Sequence, residues 1–315
     1  MALMSYGQAA CAALERAMAA DSRVVVLGED VGRGGIFGQY RGLQHRFGAA
    51  RVIDTPISES TIMGAAVGMA LTGLKPVVEM RAVDFALCAM DEIVNQAAKA
   101  RYMFGGQGKV PLVARLPIGL WAGSAAQHSQ SLEAWFAHVP GLVVVTPGTA
   151  QDNHALLSAA IDCGDPVIYM EHKELWGLEG DVVESEKVLL GKAKVLQSGN
   201  DVTLVTWSRT VQAALESTQK ARQQGVSVEL IDLRTIWPWD RDAVLASAAK
   251  TKRLVIAHEA VRVAGFGAEI AATVAEELGV PVRRLGGARI PVGYSPPLEA
   301  ESRVGADAIL QALLG

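Results

Sequence analysis

Apolar and polar positions follow two periods along this chain, one helical and one strand-like, and they alternate. From 5 to 20 the apolar residues recur at helical spacing, which predicts an amphipathic helix, and Arg23–Leu27 reads as a short buried strand that ends in Gly28-Glu29-Asp30. A glycine-rich loop follows. The pattern then predicts a helix over 59–72, a strand at Lys75–Glu79, a long helix over 84–103 and a strand at Val110–Ala114. After a loop carrying Trp121 and His128 come a helix near 131–137, a strand at Leu142–Val145, a helix over 149–162 and a strand at Pro166–Tyr169. Alternation of this kind means a parallel sheet covered by helices on both faces.

The pattern breaks at 176–198, which is polar and charged with no long helical period and reads as a linker holding a short strand or two. Beyond it the alternation restarts, with strands at 202–207, 226–231, 253–258 and 281–285. Helices are expected at 210–224, 240–249, 266–279 and 303–314. The expected fold class is therefore α/β, two parallel-sheet domains over 1–175 and 199–315.

Composition narrows the function. At 315 residues the chain has about two domains' worth of sequence, half of it apolar and 20% charged, with no 18-residue apolar run to suggest a membrane span. A net charge of −4 argues against a nucleic-acid surface. Three widely spaced cysteines without a CxxC, and a first stretch of 20 residues lacking a basic start and an apolar block, fit a cytoplasmic protein without a signal peptide.

Familiar motifs fail on spacing. The loop Gly32-Arg33-Gly34-Gly35-Ile36-Phe37-Gly38 is neither GxGxxG nor GxxxxGK[ST], and Gly265-Phe266-Gly267 has Ile270 where a third glycine would stand. Ser129 follows His128 directly but lies in no GxSxG turn, and no histidine has HExxH or Cys/His spacing, so neither a serine hydrolase nor a zinc enzyme is expected. One carboxylate stands out instead. Pro56 and Ser58 precede a small-residue helix with Glu59 in its first turn, where helix amides favour negative charge and where Ser58 is placed to cap. Taken alone, that is also what an ordinary first-turn glutamate looks like.

Read with Glu79-Met80-Arg81-Ala82-Val83-Asp84-Phe85, Asn95 to Lys99, Arg101 to Gln107 and Ala126-Gln127-His128-Ser129-Gln130-Ser131, this stretch resembles the β subunits of thiamine-diphosphate-dependent 2-oxo acid dehydrogenases, with the acetoin dehydrogenases as near relatives. The resemblance covers nearly the whole chain and implies a thiamine pyrimidine-binding domain followed by a transketolase C-terminal-like domain. It makes Glu59 the carboxyl that bonds the pyrimidine and activates the cofactor, with Ile57, Ile62 and Met63 shielding it from water. Phe85 would pack on the pyrimidine ring, Glu29 would be a nearby acid, and His128 would transfer protons in catalysis. Single-chain thiamine enzymes carry Gly-Asp-Gly and Asn-Asn for Mg²⁺ and the diphosphate. This sequence has neither.

The resemblance therefore implies an α subunit that supplies Mg²⁺ and the diphosphate in an α2β2 heterotetramer, and a lipoyl acyltransferase core as a further partner. The implied reaction is decarboxylation of a 2-oxo acid, pyruvate foremost, with reductive acylation of the lipoyl group; acetoin cleavage and a split transketolase are the alternatives, and a non-catalytic scaffold a third. Ala160, Cys163 and Asp165 fall where relatives direct backbone carbonyls at K⁺. Arg81, Val83, Leu120 and Trp121 depart from the residues common in relatives and are candidates for the substrate side.

Overall fold

The computed structural model describes all 315 residues, and they pack as two units: Met1–Ile118 with Trp135–Leu190, and Gly119–Ala134 with Gly191–Gly315. The first unit runs β1 (Ala2–Ser5), α1 (Tyr6–Ala20), β2 (Val24–Gly28), α2 (Leu43–Phe47), β3 (Val52–Asp54), α3 (Glu59–Leu71), β4 (Lys75–Glu79), α4 (Val83–Ala86), α5 (Ala98–Met103) and β5 (Val113–Ile118). The chain returns to it through α6 (Glu133–Ala137), then β6 (Val143–Val145), α7 (Ala150–Asp162), β7 (Val167–His172) and β8 (Glu179–Val182). Its strands lie in the order β6-β7-β5-β4-β2-β3, all parallel, while β1 and β8 pair antiparallel apart from them.

Local chemistry explains why these elements start and stop where they do. Helix α1 begins in a capping box, the Ser5 hydroxyl accepting from the Gln8 amide at 3.2 Å and the Gln8 side chain accepting from the Ser5 amide at 2.8 Å. It buries Ala10, Ala13, Leu14 and Met18, part of a core shared with Leu156, Leu157 and Ile161 of α7. The strand expected from 110 begins at Val113 and runs on to Ile118, because the charge of Arg115 is carried inside the sheet by Glu171. The single helix expected over 84–103 is instead a succession: α4, a 3₁₀ turn at Leu87–Ala89, a wide π-helical stretch at Glu92–Ala97, and α5. The wide turn brings position i+5 over i, and Asp91 accepts from both Asn95 at 2.7 Å and Gln96 at 3.2 Å. Lys99 donates to the Pro140 carbonyl at 2.6 Å. Gly105 and Gly106, at φ 61° and 83°, close α5, with the Gly106 amide bonded to the Arg101 carbonyl.

In the second unit β9 (Lys194–Gln197), β10 (Val202–Thr206), α8 (Thr210–Gln223), β11 (Val228–Asp232), β12 (Thr235–Trp237), α9 (Arg241–Thr251), β13 (Leu254–Val261), α10 (Gly267–Leu278), β14 (Val282–Gly287), α11 (Pro296–Ala300) and α12 (Ala306–Leu314) follow in turn. The sheet order is β14-β13-β10-β11-β9, parallel except for β9. The stretch 176–198 is thus shared out, β8 pairing with β1 and β9 with β11. Pro296 opens α11, its fixed φ suiting a first helical position. The unusual Trp237-Pro238-Trp239 has a cis Trp237–Pro238 bond, and Trp239 packs edge-on against Phe266.

Candidate functional site

The C-terminal ends of three neighbouring strands in the first unit carry the predicted acids. Gly28 of β2 is in register with Asp54 of β3 and with Glu79 of β4, and the Thr55 amide donates to the Gly28 carbonyl at 3.0 Å. The loops leaving these strands therefore emerge side by side, where open α/β sheets bind ligands. They hold Glu29 and Asp30, the approach to Glu59, and Arg81 to Phe85. Gly28 is required for this closeness: a Cβ there would lie 2.6 Å from the Glu79 carbonyl oxygen.

Glu29 and Glu59 sit close enough to interact. Burial pushes the Glu29 carboxyl above its ordinary range, the charges of Glu59 and Asp30 push it further, and Arg81 opposes the rise. Arg81, whose role the sequence left open, is held by Asp30 through a 2.7 Å ion pair. Glu59 opens α3 and is half-buried. Ser58 occupies the N-cap position but does not cap, because its hydroxyl bonds the Thr61 hydroxyl at 2.8 Å. Ile57, expected to shield Glu59, is 78% exposed and does not do so within this chain, whereas Ile62 and Met63 are buried. Phe85, half-buried on α4, is the aromatic that follows β4.

Beneath these acids lies a polar network that sequence reasoning missed. Glu79 accepts from the Tyr40 hydroxyl and from Gln39 at 3.0 Å; all three are buried. Arg115 and Glu171, wholly buried, form a two-pronged ion pair at 2.8 Å for each prong, and the guanidinium lies 4.9 Å from the centre of the Tyr40 ring. Asn153 donates to Glu171 at 3.0 Å. Desolvation raises the Glu79 carboxyl to about 7, against the pull of Arg115. The available sequence signal was a charge inside an apolar strand pattern, as at Arg115 between Ala114 and Leu116.

His128 lies in the segment Gly119–Ala134, which packs with the second unit, and its side chain is exposed. The base of the loop is closed by the Gly119 amide on the Gln130 carbonyl at 2.9 Å. Trp121 stands 40% exposed in it. The candidate K⁺ residues lie at the end of α7. There the Ala160 carbonyl accepts from the Cys163 amide at 3.1 Å, and Asp165 pairs with Arg101.

Two family models match the chain: "Transketolase, pyrimidine binding domain" over residues 2–177 and "Transketolase, C-terminal domain" over 191–309. The 2-oxoisovalerate dehydrogenase subunit beta of Bacillus subtilis is 40% identical, over 99% of this chain and 98% of its own length. A mitochondrial pyruvate dehydrogenase E1 component subunit beta-1 of Arabidopsis thaliana is 44% identical over 94% of this chain and 84% of its own. The chain belongs to the β-subunit family of these dehydrogenases. Also similar is the acetoin:2,6-dichlorophenolindophenol oxidoreductase subunit beta of Bacillus subtilis, at 39% over 99% of this chain and 96% of its own. A solved structure titled "Split gene transketolase, inactive beta4 tetramer" shares the fold at 22% identity, with a TM-score of 0.84 and coverage of 99% and 97% of the two chains.

For a dehydrogenase β subunit, the groups at the strand ends fit the aminopyrimidine half of thiamine diphosphate. A helix-opening carboxylate suits a ring nitrogen, a half-buried aromatic suits a ring face, and a second acid with a raised affinity for protons stands beside the first.

Proposed function

We propose that this chain is the β subunit of a thiamine-diphosphate-dependent dehydrogenase that decarboxylates a 2-oxo acid, with pyruvate as the favoured substrate, and passes the acyl group to a lipoyl carrier. The observation that carries this reading is the convergence of Glu29 and Glu59 at the aligned ends of β2, β3 and β4. Glu59 would bond the pyrimidine nitrogen N1′ and exchange a proton with it, Phe85 would hold the ring face, and Glu29 would take up charge beside them. When bound, the cofactor supplies a nucleophilic carbon that adds to the substrate carbonyl and accepts the electrons released on loss of CO₂. His128 would donate or remove protons at the substrate oxygen. An α subunit would hold the diphosphate and Mg²⁺ in an α2β2 assembly, and a lipoyl acyltransferase would receive the product. Acetoin is the second candidate substrate, supported by the 39% identity to an acetoin-oxidising β subunit.

Glu59→Gln tests the reading, because the amide keeps the size of the side chain but cannot shuttle a proton. The variant is expected to assemble and melt like the wild type while losing dye-linked oxidation of pyruvate and acetoin alike. Near-normal turnover by Glu59→Gln overturns the assignment.

A further inference from the structure

We infer that Glu259 and Glu299 are positioning residues for His128, fixing the shape of its loop through backbone amides; this rests on the reading of His128 as a proton-transfer group. The Leu120 amide donates to Glu259 Oε1 at 2.8 Å and the Gly123 amide donates to Glu299 Oε2 at 2.8 Å. The two carboxylates come from β13 and α11, well over a hundred residues along the chain. Glu299 is only 7% exposed, so water competes little for its bond to Gly123. An amide bound to a carboxylate is held more strongly than one bound to a neutral carbonyl.

The loop needs such restraint. Ala122 and Ala125 are in the left-handed region at φ 47° and 58°, as are Gly119 and Gly123 at 88° and 74°. An alanine keeps that conformation only where its surroundings impose it. A side chain at Gly123 would also crowd Tyr294, since a Cβ would lie 3.0 Å from its carbonyl oxygen. Inside the loop the Trp121 carbonyl accepts from both the amide and the hydroxyl of Ser124, and the His128 amide reaches the Ala125 carbonyl at 3.4 Å. Downstream, Trp207 Nε1 donates to the buried Glu133 at 2.9 Å and pins the far end. The imidazole is thus carried on a strained, mostly small-residue turn whose backbone is held by two carboxylates. Release of either contact lets Ala122 and Ala125 relax and moves His128, and a displacement near 1 Å at a reacting group lowers turnover by up to about a hundredfold.

The test uses the assembled enzyme with thiamine diphosphate bound, comparing Glu299→Ala, Glu259→Ala, Glu299→Gln, Glu259→Gln and His128→Ala. Each alanine variant is expected to lower kcat by about tenfold to a hundredfold with KM and cofactor affinity near wild type. The glutamine variants, which keep an accepting oxygen, should recover most of that loss. Combining Glu299→Ala with His128→Ala should be no slower than His128→Ala alone, since both remove one function. Should Glu299→Ala fail to assemble, Glu259→Ala and the glutamine pair carry the same comparison. Wild-type kcat in the alanine variants alongside a slow His128→Ala overturns the positioning role alone, as do losses that multiply in the double variant. Full turnover by His128→Ala removes the reading of His128 itself, and this inference with it.

Discussion

Glu79 is expected to make the stability of the first unit fall as pH rises. Its carboxyl is wholly buried, with the Tyr40 hydroxyl and the Gln39 amide as partners, and its folded-state pKa of about 7 stands above the ordinary 4.5. Between those values the folded state holds a proton that the unfolded chain has lost, so the contribution is fully present below about 4.5 and is lost as pH rises through about 7. At about 1.36 kcal/mol for each pKa unit, a displacement of about 2.5 amounts to roughly 3 kcal/mol. Glu79→Gln removes the titration and keeps the shape, the Tyr40 hydroxyl turning to accept from the new amide. Urea unfolding of both proteins from about pH 4.5 to about pH 8 should show nearly equal stability at the acid end and a glutamine variant ahead by about 3 kcal/mol at the alkaline end. A difference that stays constant across the range refutes the reasoning, because it would mean that Glu79 ionises in the fold as it does in water.

His258, neutral and stacked on Trp207 at 4.9 Å, acts in the opposite sense: burial lowers it to about 4, so the second unit should lose about 3 kcal/mol as pH falls from about 6.5 to 4, a slope absent from His258→Phe. Thermal melts of the two proteins at acid pH check this. Arg115→Met leaves Glu171 buried without its partner and is expected to cost about 3–5 kcal/mol, and Arg115→Met with Glu171→Met should recover most of it; equal instability of single and double variants counts against the ion-pair account. If the carbonyls near Ala160 and Cys163 hold K⁺, the melting temperature should be higher in potassium than in a large organic cation at equal ionic strength, and equal values exclude the site.

Much of the fold was legible because hydrophobic period is a local property. The strands at Lys75–Glu79 and Val202–Thr206 and the helices Glu59–Leu71 and Thr210–Gln223 fall within a residue or two of where periodicity places them. The short strands β1, β3 and β12 have too few residues to show a period. The end of β5 was misplaced because the strand signal weakens at a charge, and whether Arg115 can enter a sheet depends on Glu171, 56 residues away.

The sequence by itself determined the two-domain α/β alternation, the first-turn placement of Glu59 and the small-residue loop around His128. Each rests on neighbours a few positions apart, where side-chain period, caps and glycine act. Only the tertiary structure decided which acids meet. Parallel pairing of β2 with β3 and β4 brings Glu29, Glu59 and Arg81 to one sheet edge, and it buries Glu79 beneath them. Packing likewise assigned the histidine loop to the second unit, where Glu259 and Glu299 hold it. Proton affinity and loop shape depend on desolvation and on partners far away in the chain, and those are created only when the strands come into register.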